Sequence, residues 1–321
     1  MGIRERVKLF LKGMAMGAAD VVPGVSGGTI AFISGIYEEL LSSIKAFGPD
    51  TFTVLRKQGL IAAWRQFNGN FLATLLAGIF TSILLLVRPI TWALENEPVL
   101  IWSFFFGLIV ASVYLCGKLV KHWTALPWVG LLIGTIVAVV IGLMKAAPPT
   151  DSLIFFFFAG SVAICAMILP GISGSFILLL LGAYGPVMAA LKSFDLPIIL
   201  VFALGCLAGL MAFSRLLSWL FLRHHDVAVS TLTGFLLGSL AIVWPWKEIQ
   251  SLRTAHEGSA DEQLVPLTQT NVWPADYATI TANDSILGIT DKDPHVMMAI
   301  LLMLAGAALL ILLERLGERT T

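Results

Sequence analysis

Long apolar runs, broken by short polar turns, set the pattern of this chain. Six of them read as membrane spans, at residues 71–88, 99–117, 127–144, 197–219, 229–246 and 296–313. Each is near the ~20 residues that a hydrocarbon core of ~30 Å requires. Two further apolar stretches are interrupted where a membrane helix should continue. The first runs Ala19-Asp20-Val21-Val22-Pro23-Gly24-Val25-Ser26-Gly27-Gly28-Thr29-Ile30, the second Ala166-Met167-Ile168-Leu169-Pro170-Gly171-Ile172-Ser173-Gly174-Ser175-Phe176-Ile177. Each break turns its run into a hairpin, over 4–46 and 152–191. Residues 48–70 are mixed, with Arg56, Lys57 and Arg65 near Trp64 and Phe67, and read as an interfacial amphipathic segment. Residues 247–294 are polar and mildly acidic and read as an extramembrane loop.

The breaks belong to an internal repeat. At one fixed offset Gly35 meets Gly182, Tyr37 meets Tyr184 and Lys45 meets Lys192. At a slightly shorter offset Leu76-Ala77-Gly78 resembles Leu207-Ala208-Gly209, and Phe104-x-x-Gly107 resembles Phe235-x-x-Gly238. The expected architecture is an all-α polytopic membrane protein of two repeats, 1–147 and 148–321. Each is a re-entrant helical hairpin followed by three transmembrane helices. A hairpin returns the chain to its starting side and three spans do not, so the second copy enters from the opposite face and the repeats are inverted. Interrupted segments at matching places in two halves point to a transporter's binding site.

Composition agrees with a membrane protein: 58% of the 321 residues are hydrophobic and 12% are charged, against about 25% charged in soluble domains. Twenty basic residues balance twenty acidic ones, so charge points to no nucleic-acid partner. With the N-terminus inside, the outer segments carry only Arg88, Lys145, Lys192, Lys247, Arg253 and Lys292, and the other fourteen of the twenty Lys and Arg lie inside. That is the positive-inside pattern, and it makes both termini cytoplasmic. No clean hydrophobic region of a cleavable signal follows the basic N-terminus. Cys116, Cys165 and Cys206 form no metal or CxxC spacing and read as small core residues.

The chemistry concentrates at the two turns. Pro23 and Pro170 each remove a backbone donor and stop a helix. Gly24, Gly27, Gly28, Gly171 and Gly174 permit close approach of backbone to a ligand. A helix restarting after such a turn aims unpaired N–H groups at an anion, at roughly 0.3–2 kcal/mol from its dipole. Ser26, Thr29, Ser173 and Ser175 add hydroxyls. Asp20 precedes the first turn, where its copy has Met167. An acid in an apolar stretch is a functional candidate by default, and capping of the restarting helix is the competing role. Glu38 stands near the foot of the first hairpin, as a second candidate for a coupling ion or as a solvated ion-pairing residue. Arg215 interrupts an apolar run and is either a bidentate phosphate ligand or a snorkelling helix-end arginine. His122, His224 and His225 read as basic loop residues rather than metal ligands.

The string Gly13 to Thr29, with Gly35-Ile36-Tyr37-Glu38 after it, closely resembles the bacterial polyprenyl-phosphate transporter family, and Leu169 to Ser175 resembles that family's second motif. The resemblance covers essentially the whole chain. It implies translocation of undecaprenyl phosphate across the cytoplasmic (inner) membrane, returning the lipid carrier to the inner leaflet for cell-envelope synthesis, with no cofactor. The motif residues Pro23 to Thr29 and Pro170 to Ser175 would then hold the phosphate. Inward return of an anion opposes an inside-negative potential, at about 2.3 kcal/mol per charge per 100 mV, so coupling to protons or another cation through Asp20 or Glu38 is expected. The alternatives are a small-anion transporter and an enzyme. Undecaprenyl-pyrophosphate phosphatases carry a similar Pro-Gly-x-Ser turn, but follow it with Arg-Ser, where this chain has Gly27-Gly28 and Gly174-Ser175.

Overall fold

The computed structural model describes residues 2–21, 26–148, 150, 152–255, 263–277 and 293–318. The first half opens with α1 (Ile3–Val21), the short α2 (Gly27–Ile33) and α3 (Tyr37–Lys45). Two amphipathic helices, α4 (Pro49–Gln58) and α5 (Leu60–Gln66), occupy the mixed segment, followed by α6 (Gly69–Asn96), α7 (Pro98–Lys118) and α8 (Ala125–Leu143). The second half repeats this order with α9 (Leu153–Ile168), α10 (Gly174–Leu180), α11 (Tyr184–Ser193), α12 (Leu196–Arg223), α13 (His225–Ser239) and, after an insertion, α15 (Val296–Glu318). Strands β1 (Lys247–Ala255) and β2 (Gln263–Asn271) pair antiparallel, and α14 (Pro274–Tyr277) follows.

The two halves match in detail. Both α2 and α10 have seven residues, and both end at a glycine in the left-handed region, Gly35 at φ +72° and Gly182 at φ +71°. Both α6 and α12 have 28 residues and pass into the next helix through one residue, Glu97 (φ −133°, ψ 51°) or His224 (φ −140°, ψ 55°). The packing follows suit. Helix α1 lies on α6 as α9 lies on α12, and α7 lies on α15 as α13 lies on α8. These contacts close over small residues: a Cβ on Gly107 would lie 1.9 Å from the Met303 carbonyl oxygen, and one on Gly306 2.1 Å from that of Phe104. Such close backbone approach drives helix association where lipid removes the hydrophobic advantage.

Helices α6, α7, α8 and α12 are long and apolar enough to cross a membrane, and the bent pair α10–α11 makes a fifth candidate. Their outer faces present Phe80, Leu84, Leu132, Ile136, Leu200 and Leu204, as lipid contact requires. A seven-residue helix rises only ~10 Å, and α10 meets α11 at 106°. Neither return limb is therefore a straight span.

Several span boundaries differ from the sequence reading: α12 runs on to Arg223 and α15 to Glu318, and two shifts are larger. The span expected to end at 88 runs on through Pro89 to Asn96, since membrane helices tolerate a proline where neighbouring groups re-satisfy the freed carbonyl. The span expected at 229–246 instead occupies His225–Ser239. Pro245 disfavours helix at the residue before it, and the Trp244 and Trp246 indoles are drawn out of the run by donating to the carbonyls of Val272 and Pro294. The loop 247–294, expected without strands, carries the β1–β2 hairpin because alternating polar and β-favouring residues suit a two-stranded ribbon.

Candidate functional site at the junction of the two turns

Helix α2 starts at Ser26, whose extended backbone and side chain make it an N-cap: its Oγ accepts from Gly28 N at 3.1 Å. The preceding N–H, that of Gly27, donates to Asp20 Oδ1 at 2.6 Å. Asp20 thus adopts the capping geometry, folding its carboxylate back over the helix that restarts beyond it. Pro23 and Gly24 lie outside the described residues.

The two interrupted segments touch directly. The Ser26 hydroxyl donates to the Met167 carbonyl at 3.0 Å. In the opposite sense, Gly171 N–H donates to the Thr29 hydroxyl oxygen at 3.0 Å. Between these bonds Gly28 lies flat against the end of α9: a Cβ there would sit 2.4 Å from the Ile168 carbonyl oxygen and 3.1 Å from that of Met167. Ser26 and Thr29 are buried, at 1% and 0% exposure. Gly171 adopts φ +83°, and a side chain there would also strike the Phe235 carbonyl at 2.8 Å. Gly174 abuts the Ala163 carbonyl, and Pro170 is buried.

The copies are not equivalent at this junction. In the first, Asp20 and Ser26 occupy the N–H groups of Gly27 and Gly28, and Thr29 reaches across to Gly171. In the second, Met167 and Phe176 replace Asp20 and Thr29, so neither partner exists. The Ser173 hydroxyl makes no cap bond and instead pairs with the Ser175 hydroxyl at 2.8 Å. Ser173 is buried and Ser175 is exposed. One proton is spent within the Ser173–Ser175 pair. The other hydroxyl proton and the remaining lone pairs stay available to a polar group from outside.

The charged candidates stand elsewhere. Arg215 is exposed; it donates to the Met211 carbonyl of its own helix at 3.1 Å, and its guanidinium borders Gly48, beyond α3. Glu38 is exposed, with a carboxylate oxygen 3.7 Å from His225 Nε2. That contact ties α3 to the start of α13. No group of His, Cys, Asp and Glu suited to a metal occurs among the described residues. Sequence reasoning missed the receiving surface: the Met167 and Ile168 carbonyls and the Phe235 backbone carry no side-chain signature. The lack of a partner for Asp20 and Thr29 in the second copy was the one available hint.

Comparison with known proteins gives the family. Residues 16–261 match a family model described as VCA0040-like, undecaprenyl phosphate translocase-like. A polyprenyl-phosphate transporter of Vibrio cholerae is 48% identical over 312 residues, covering 97% of this chain and 96% of that protein. Another of that name, from Staphylococcus aureus, is 33% identical over 253 residues, covering 73% of this chain and 85% of its own length. No solved structure matches significantly. The chain, with its two interrupted helical segments meeting at Ser26 and Thr29, belongs to the undecaprenyl phosphate translocase-like family.

Proposed function

We propose that this protein carries undecaprenyl phosphate from the outer to the inner leaflet of the cytoplasmic membrane, for reuse in envelope synthesis. The family and both polyprenyl-phosphate transporter relatives support the lipid-carrier class. The observation that carries the mechanism is the contact of the two turns, one from each half, with polar backbone and hydroxyls of both gathered at one place. Two re-entrant hairpins in inverted halves give a pocket that rocking of one half against the other exposes to each leaflet in turn.

Within the junction the two turns divide the work. The first turn is the hinge: its hydroxyls and Gly28 hold the end of α9. The second turn takes the phosphate, through the Ser173 and Ser175 hydroxyls and the backbone beside Gly174. Gly27 shapes the start of α2, and Pro23 and Gly24 belong to the same sequence motif. Arg215 receives the phosphate at the inner interface, its exposed guanidinium exchanging its bond to the Met211 carbonyl for the headgroup. Asp20 carries a coupling proton or cation: protonation weakens its hold on Gly27 N–H and loosens the turn. Glu38, already against His225, is the second carrier candidate.

The test is leaflet-resolved uptake of labelled polyprenyl phosphate into proteoliposomes. Ser173→Ala with Ser175→Ala lowers the rate at least about tenfold while insertion and melting temperature hold. Unchanged uptake in that variant removes the phosphate role from the second turn. Uptake indifferent to pH and ionophores removes the coupling.

A further inference from the structure

On the face where α7 passes to α8 and α12 passes to α13, the two connections meet around a cleft of about 350 Å³. Lys121, His122, Thr124, His224, His225 and Asp226 line it. Asp226 is the strut that builds it. Its carboxylate accepts from the N–H groups of Lys121, at 3.1 Å, and His122, at 2.9 Å, fixing the α7–α8 loop to the first turn of α13. Both oxygens of the one carboxylate in the lining are thereby engaged. The Lys121 ammonium and the His122 and His224 imidazoles are exposed. Helices α8 and α13 both begin here, at Thr124 and His224, and neither has a side-chain cap. One ammonium, imidazoles able to donate hydrogen bonds and two positive helix ends thus converge on one small space, which is the chemistry of a phosphate site.

The surroundings set the depth. Trp123 and Trp128 pack at 4.7 Å, and Trp219 packs edge-on to the His224 ring at 6.0 Å. All three tryptophans are exposed, as are Leu119, Leu126 and Leu222 around them. Tryptophan rings among exposed leucines and basic residues mark the membrane–water interface. A phosphate at this depth, beside surface this apolar, arrives with acyl or prenyl chains attached.

We infer that this cleft binds the phosphate headgroup of a membrane lipid, at a site separate from the turn junction. It stands independently of the transport reading, because it needs only the cleft, its charges and its aromatic rim. The experiment is native mass spectrometry of the full-length detergent-solubilised protein with dioleoyl phosphatidic acid, against chain-matched phosphatidylcholine. The native chain favours phosphatidic acid by about tenfold or more, and Lys121→Gln/His122→Gln/His224→Gln abolishes the preference. Lys192→Gln, at an exposed lysine outside both sites, serves as reference and keeps it. Equal binding of the two lipids, or a preference intact in the triple variant, overturns the site. Displacement of phosphatidic acid by millimolar inorganic phosphate reassigns the cleft to a free anion and overturns the lipid assignment. Diethylpyrocarbonate labelling of the native chain checks the place without any substitution. Phosphatidic acid slows modification of His122 and His224; unslowed modification overturns the proposal.

Discussion

At Gly28 a methyl group would lie 2.4 Å from the Ile168 carbonyl oxygen, a backbone atom that cannot swing aside. Gly28→Ala therefore separates the two turns or strains them, at about 1–3 kcal/mol, and thermal unfolding of the purified protein falls accordingly. Gly35→Ala forms a useful contrast. Its φ of +72° makes it a strained substitution, yet nothing within 4 Å obstructs the new methyl group, so the cost is limited to about 1 kcal/mol of backbone strain. Thr29→Val keeps the shape but leaves the buried Gly171 N–H without its acceptor, at about 1–3 kcal/mol. Ser26→Ala removes the donor to Met167 and the cap on Gly28 together. Because both changes open the same junction, the double variant loses less than the sum of the two, a coupling that a double-mutant cycle of melting free energies measures.

Among the elements, the β1–β2 insertion is anchored by a lysine. Lys247 Nζ donates to the Ile242 carbonyl and stands 4.6 Å from the centre of the Trp102 ring, so the strand is pinned to α7. Burial pushes its ammonium down to about 8. A lysine whose folded value is depressed binds its proton less well folded than unfolded. Stability therefore rises with pH, from about 8 up to the ordinary lysine value near 10.4. Lys247→Met flattens that rise, read as melting temperature between pH 7.5 and 10. The same sign holds at Asp226, in an acid window. Backbone donation from Lys121 holds its carboxyl below the usual aspartate range, with further donation from His122 and the His225 side chain acting the same way. The tie between the α7–α8 loop and α13 is then fully present above about pH 4 and is lost as pH falls through the lowered folded value. Asp226→Asn loosens the loop without acid, and faster amide exchange at Lys121 and His122 reports it.

At the scale of the whole molecule, two sets of helices pair in the same manner and meet at one polar spot. The geometry predicts an asymmetric division of labour. Ser26→Ala with Ser173→Ala weakens leaflet-resolved uptake while membrane insertion stays normal. Of the two, Ser26→Ala acts mainly through stability and Ser173→Ala mainly through transport. Equal melting temperatures for the two single variants would contradict that division.

The sequence alone determined the class and the matched order of helices in the two halves. Apolar run lengths, one doubled Pro-Gly turn and glycines at a fixed offset are local facts that fold history cannot hide, and Gly35 and Gly182 share one backbone angle as that offset requires. The family was legible for the same reason, since a motif from Gly13 to Thr29 is contiguous in the chain. Three-dimensional packing decided the rest. Whether Asp20 caps its own helix or faces outward depends on a turn's path, and the Gly27 N–H settled the geometry. Arg215 was a candidate by residue type in an apolar run and Glu38 by its place at a hairpin's foot, and their contacts in the folded chain are Gly48 and His225. The surface that receives Ser26 and Gly28 is carbonyl oxygen, which every residue type carries alike. Side-chain identity cannot announce a backbone partner more than a hundred residues away; only the folded chain brings the two together.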